Sequence, residues 1–330
     1  MTDPAPALAP APAPSAAPTG VTALGGNRAA LTLLAVQALG APLLMLQFGL
    51  DAVTAFLISI TVNVLLLLTV FGREFAALRA DSRWRTPPNW SLALAVFIVV
   101  FIASRAWSAV ALSFFPQLPS ADTVQVLTGA GSAAWLLVLT GGVLVPIIEE
   151  IAFRGLMLRG HERAAGFTVA ALTTSAAFAL AHGAPVSVIG ILPLAYVLAR
   201  LAQHTGSLWD PVIVHVLNNG LVLGLVVALG DRLPLDELST AQSEGALESM
   251  GPAVGLGAAV LGAGLLWVLH LWLTPRVDPQ NRAAPGPWLS GAYIIIILFG
   301  LVSAGATFPA VVDWVRAAVQ ALPPLPLPTR

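Results

Sequence analysis

Two adjacent carboxylates, Glu149 and Glu150, close an apolar run that begins near Ala133, within the stretch Val145-Pro-Ile-Ile-Glu-Glu-Ile-Ala-Phe-Arg-Gly155. An ionised carboxylate in or near hydrocarbon costs several kcal/mol unless it is paired or faces water. A purely structural account is at hand: acidic pairs at helix ends are commonly solvated, and Arg154 follows Glu150 at the i,i+4 spacing of an ordinary ion pair. Three later residues weigh against it. Phe178-Ala-Leu-Ala-His182 puts a histidine late in another apolar run, and His215-Val-Leu-Asn-Asn219 puts a histidine and an amide on one helix face. A lone histidine among apolar residues is usually a hydrogen-bonded core group. Two histidines, two carboxylates and an amide would each need a separate polar partner in the membrane, so convergence on one water-filled cavity is the cheaper arrangement.

Helix geometry permits that convergence. If the glutamate helix continues through Arg159 and Arg163 and turns at Ala164-Ala165-Gly166, Glu150 stands about 15 residues before the turn and His182 about 16 after it. The two then come level across an antiparallel hairpin. Glu149 and Glu150 differ by ~100° around the helix, which predicts different tasks. Such a set can bind a divalent metal such as zinc, through Glu149, Glu150, His182 and His215, or can activate water directly as general base. Other hydrolase signatures are missing. His161-Glu-Arg-Ala-Ala165 lacks the second histidine of a zincin, Ser290-Gly291 lacks the glycine two before a serine nucleophile, and Gly230-Asp231 is not a GxGD site. Water is the expected nucleophile.

The elements that must position these residues are helices in a bilayer. The 330-residue chain is 57% hydrophobic and 9% charged, with a mean hydropathy of +0.87. That balance predicts an all-α polytopic membrane bundle without a soluble domain. Cysteine is absent, which excludes disulfides and thiolate chemistry, and the net charge of -1 points to no nucleic-acid partner. Residues 1–20 are an Ala/Pro-rich tail expected to be disordered. Apolar runs follow at about 29–50, 52–72, 90–114, 128–152, 167–184, 186–202, 209–229, 252–273 and 288–308. They predict eight or nine transmembrane helices between 29 and 308, the 186–202 run reading as a half-helix. Pro42, Pro146 and Pro193 are tolerable within them. A tail, 309–330, is expected to carry a surface helix at 310–321, ended by the proline-rich 323–328.

Arginines cluster in 72–89, 153–166 and 274–287, are absent from 115–127, and are outnumbered by acids in 230–251. The positive-inside rule makes the arginine-rich connections and the N-terminus cytoplasmic. Trp84, Trp90, Trp209 and Trp288 lie near span ends, as interface anchors do. The all-arginine usage reads as a GC-rich coding bias, which suits a bacterial cytoplasmic membrane.

Glu149-Glu150-x3-Arg154, Phe178-x3-His182 and His215-x3-Asn219, in that order over about 130–230, resemble the CPBP family. That family comprises type II CAAX-prenyl endopeptidases and the bacteriocin-processing and immunity proteins also labelled Abi. The resemblance implies an intramembrane endopeptidase, classed as a metalloprotease, with Glu149, Glu150, His182, His215 and Asn219 lining the site. Arg154 would hold the glutamate helix by an ion pair. Water activation would fall to Glu149 or Glu150 with His182, and oxyanion stabilisation to His215 and Asn219. The partner would be a membrane-associated peptide or protein. Two other readings stand beside this one. A non-catalytic immunity or partner-binding protein of the same family would keep the polar cluster as a helix-docking device. A transporter or proton relay would use the same residue types, although no internal repeat supports it.

Overall fold

Backbone polar groups in hydrocarbon must find partners within the chain, and long apolar runs meet that demand as helices. The computed structural model describes residues 20–115, 133–229, 251–278 and 286–320, and no strand occurs among them. Helix α1 spans Ala23–Phe48, α2 Ala52–Thr69, α3 Gly72–Ala80, α4 Ser82–Arg85 and α5 Trp90–Phe114. The helical stretch Ala134–Leu180 is broken at Gly166 (φ 82°, ψ 175°) into α6 (134–165) and α7 (167–180). Then come α8 (Pro185–Thr205), α9 (Trp209–Leu229), α10 (Pro252–Trp272), α11 (Gly291–Gly305) and α12 (Pro309–Gln320). Seven of the described helical stretches are long and apolar enough to cross a membrane. The chain is an integral, multi-pass, all-α membrane protein.

Each of the nine apolar runs is essentially helical over its described residues, and the turn expected at Ala164–Gly166 falls on Gly166, whose left-handed φ suits a residue without Cβ. Two boundaries move. Helix α8 is a full 21 residues rather than a half-helix. Its apolar character ends near 202, but the helix runs on because Gln203 donates to the Phe167 carbonyl across the hairpin. Helix α1 starts at Ala23, capped by the Thr22 hydroxyl, through polar residues that carry no apolar signal. The expected surface helix of the tail is α12; the 1–19 tail and the proline-rich end lie outside the described residues.

The arginine-rich connections share one end of the bundle. Arg83 of α4 grips both oxygens of Glu162 at 3.0 and 2.9 Å and donates to the Arg154 carbonyl. Arg159 reaches Asp81, Ser82 and Asp278. His161 sits between the Thr173 hydroxyl and Asn27 Oδ1, both at 2.8 Å, and Asn27 in turn donates to Trp288 O and Ser290 Oγ. Buried polar groups are tolerable when most of their donors and acceptors are bonded, as they are here apart from Arg83 Nε. The result clamps the second half of α6 among α1, α4, Asp278 and the 288–290 segment. Trp84 and Trp209 pack on each other, with the Trp209 Nε1–H donating to the Trp84 carbonyl, so they serve this cap as well as the interface.

Two local features set α6 in place. The segment Thr140–Leu144 is π-helical and leads into Pro146, the kind of adjustment that re-houses the backbone groups a proline frees. Gly142 then meets Gly220 of α9 so closely that a Cβ on Gly142 would stand 3.0 Å from the Gly220 Cα. Small residues at such a crossing let membrane helices approach to backbone contact.

Candidate active site

Glu149 and Glu150 end a short α-helical turn, Val145–Glu150, and the chain then widens into a second π segment, Ile151–Met157. π-bulges often mark functional positions because they re-aim side chains within an otherwise continuous helix. Here the two carboxylates receive different surroundings. Glu150 is fully buried, and its Oε1 accepts from Arg154 Nη1 at 2.9 Å and from His215 Nδ1 at 2.8 Å. Glu149 keeps slight exposure at 7%, and its Oε2 stands 3.8 Å from His215 Nε2.

Arg154 is held as tightly as Glu150. Its second guanidinium nitrogen donates to the Ala195 carbonyl of α8 at 3.1 Å, and its Cζ lies 4.3 Å from the centroid of the Phe178 ring. A guanidinium can be buried when a carboxylate, a carbonyl and an aromatic face share it. The expected ion pair is therefore present and interior.

Phe178 of α7 is the apolar centre. Its ring contacts Phe153 at 5.0 Å, His182 at 4.9 Å and His215 at 5.6 Å between centroids. The hairpin brings 153–154 level with 178, as the residue count on either side of Gly166 requires. At ~1.5 Å per residue α7 rises only about 21 Å, short of a bilayer's hydrocarbon thickness. Its closing loop, 181–184, therefore falls at membrane depth. Non-helical backbone survives there only against protein or a cavity. Gly183 packs towards Ser303 of α11, while His182 faces the cavity and its Nδ1–H donates to the Phe178 carbonyl at 2.9 Å. That bond leaves Nε2 of a neutral His182 as an acceptor.

The cavity, of about 240 Å³, is lined by Phe178, His182, His215, Asn218 and Asn219 together with Arg105 of α5. His215 and Asn219 share it, as their spacing requires. Asn218 Nδ2 donates to Asn219 Oδ1 at 3.0 Å, which commits the Asn219 oxygen and leaves its NH2 group to point elsewhere. His182, His215 and Asn219 thus line one cavity, and Glu149 and Glu150 adjoin it through His215. Phe178 stood in the Phe178-x3-His182 motif without its part as the hub being visible, and two contributors had no assigned position at all: Asn218, and Arg105, whose only signal is a charge inside a long apolar run.

Among the described residues, no three His, Asp or Glu side chains gather closely enough to hold a metal ion. Glu150 and His215 Nδ1 are bonded to each other, and His182 Nδ1 is bonded to a carbonyl. The donors left are Glu149, the Glu150 Oε2, which has no hydrogen-bond partner, and the two Nε2 atoms. As arranged they do not form the closed or facial set that a divalent metal takes.

Residues 131–221 match the family described as Rce1-like: Type II CAAX prenyl endopeptidase Rce1-like. A protein of Bacillus subtilis (strain 168) named "Putative membrane peptidase YdiL" is 23% identical over 175 residues, covering 53% of this chain and 70% of that protein. No solved structure matches the chain. The family segment coincides with α6 to the middle of α9, the elements that carry every carboxylate and histidine of the site.

Proposed function

We propose that this chain, whose 131–221 core belongs to the CPBP family of membrane proteases, hydrolyses a peptide bond by glutamate-activated water. The observation that carries the mechanism is the 3.8 Å separation of Glu149 Oε2 and His215 Nε2. It is too long for a direct hydrogen bond and suits a water molecule bonded to both. His215 presents that nitrogen as an acceptor because its Nδ1–H is committed to Glu150. Arg154 pairs with Glu150 and keeps it in place. Glu150 and Arg154 are thus positioning residues, and Glu149 is the general base.

In the reaction, Glu149 takes a proton from the water as its oxygen bonds to the scissile carbonyl carbon. The carbonyl oxygen gains the negative charge and is met by the Asn219 N–H. Collapse of the tetrahedral intermediate breaks the C–N bond, and the proton held by Glu149 passes to the departing amine. His182 Nε2 faces the cavity as an acceptor for substrate N–H groups or for the water. This division differs from the expectation that His215 stabilises the oxyanion: a neutral His215 bonded through Nδ1–H has no second N–H to give. The substrate class is a membrane-associated peptide or protein.

The test is cleavage of a fluorogenic peptide panel by purified protein in liposomes, wild type against Glu149→Gln. Loss of cleavage in a normally folded variant supports the reading, and undiminished cleavage overturns it.

A further inference from the structure

Arg105 has no place in the reaction just described, yet it is the one cation among the described residues lining the catalytic cavity. It lies 15 residues after Trp90 and 9 before Phe114, the ends of α5. At ~1.5 Å per residue that is roughly 22 and 14 Å from the two helix ends, and the residue is exposed rather than packed away. The buried arginines of the neighbouring cap and site each have a carboxylate close by: Arg83 with Glu162, Arg154 with Glu150, Arg159 with Asp81. Arg105 forms no ion pair among the described residues. Its polar contact is Nη2 to Ser104 Oγ at 3.4 Å, and the Ser104 hydroxyl already donates to the Gly190 carbonyl at 2.6 Å. The Phe101 ring, 5.6 Å from its Cζ, offers only a weak cation–π contact. A second group lining the same cavity, on α9, is also unsatisfied. Asn218 is 6% exposed, and its Oδ1 has no hydrogen-bond partner.

Building on the proteolytic reading, we propose that Arg105 receives a carboxylate of the substrate peptide, while Asn218 Oδ1 accepts a peptide N–H beside it. The cation and the orphan acceptor match, in charge and in hydrogen-bond sense, the two groups an acidic peptide segment presents. A charged residue at membrane depth is stabilised when its counter-ion arrives, so binding energy is concentrated on peptides that bring the charge. Arg105 is a specificity residue here, acting on substrate choice and leaving water activation to Glu149.

The experiment compares peptides of one sequence that carry a free C-terminal carboxylate or a C-terminal carboxamide, with a second pair carrying Asp or Asn within the chain. For the wild type, kcat/KM should favour the charged member of one pair by on the order of tenfold or more, through KM. The pair that shows it tells a chain terminus from an acidic side chain. In Arg105→Gln that ratio should fall to near one, and Arg105→Lys should restore part of it. Equal losses on charged and neutral peptides, or an unchanged ratio, would overturn the proposal. So would an Arg105→Gln effect that follows the anionic lipid content of the liposomes instead of peptide charge, because the bound anion would then be a lipid phosphate. Binding of the same pairs to full-length Glu149→Gln protein gives a readout independent of turnover. A charge preference there that Arg105→Gln abolishes supports the anchor even if the proteolytic reading fails, and no preference refutes it.

Discussion

Glu150 and His215, 65 positions apart in the chain, are joined by a 2.8 Å hydrogen bond from His215 Nδ1 to Glu150 Oε1. The same oxygen accepts from Arg154 at 2.9 Å. One carboxylate oxygen thus ties α6 to α9 and fixes the tautomer of the histidine that faces Glu149. The two adjacent glutamates should therefore fail in different ways. Glu149→Gln should fold with near wild-type thermal stability and lose roughly 10²–10⁴-fold in cleavage rate, the usual worth of a general base. Glu150→Gln should lose stability as well as activity. Thermal unfolding in detergent, measured beside peptide cleavage, separates the two, and identical behaviour of both variants would refute the division.

Removing Arg154 leaves Glu150 buried against hydrocarbon with only His215 for company. Arg154→Ala should cost roughly 3–5 kcal/mol, the penalty for breaking a buried pair from one side. Arg154→Lys should rescue it poorly, because an ammonium cannot supply both the Glu150 and the Ala195 contacts in the planar geometry seen here. Expression level and melting temperature report the effect, and a normally stable Arg154→Ala protein would place the pair in contact with water.

Phe178 holds the two histidines through ring contacts. Phe178→Ala should destabilise by roughly 3–5 kcal/mol and depress cleavage, while Phe178→Leu should cost much less stability. If Phe178→Leu retains stability and still loses activity, the aromatic face itself positions His182 and His215. Equal activity in Phe178→Leu and wild type would reduce Phe178 to filler.

If Glu149 and His215 hold the water as proposed, stripping divalent metal with a chelator should leave the cleavage rate unchanged. The check is metal content by mass spectrometry alongside the rate. A loss that added zinc restores would require the free carboxylate oxygens and Nε2 atoms to close around an ion.

Orientation can be read on the same protein, which has no native cysteine. Arg85→Cys lies at the arginine-rich end and Phe115→Cys beyond the opposite end of α5, and both positions are exposed. An impermeant thiol reagent should label Phe115→Cys in intact cells and Arg85→Cys only after permeabilisation. The reverse pattern would invert the orientation.

What could be read from the chain beforehand was whatever periodicity and length encode. Apolar runs announced the helices, Gly166 announced the hairpin turn, and i,i+4 spacing put His215 and Asn219 on one wall. The cap could not be foreseen in that way. Arg83 meets Glu162, and Arg159 meets Asp81 and Asp278, across separations that no local pattern carries. The unequal surroundings of Glu149 and Glu150 were only partly visible. A 100° step around a helix says that neighbours differ, but only the position of α9 says which of them meets His215 Nδ1. Arg105 was legible as a charge in an apolar run and illegible as part of a site, because α5 contributes no other chemistry-bearing residue to the cavity.

The crossing of Gly142 and Gly220 works as a common origin from which both catalytic helices are measured. His215 is five residues from it along α9, and Glu149 is seven residues from it along α6 in the same direction through the bilayer. Those offsets are roughly 7.5 and 10.5 Å, close enough for side chains to bridge. Inserting or deleting one residue between either glycine and its catalytic partner would turn that partner by ~100° while leaving hydrophobicity and every side chain intact. Relatives of this chain that alter loop lengths freely should therefore hold those two intervals constant. An insertion scan through α6 and α9 should find two short windows, Gly142 to Glu149 and His215 to Gly220, in which membrane assembly survives and turnover does not.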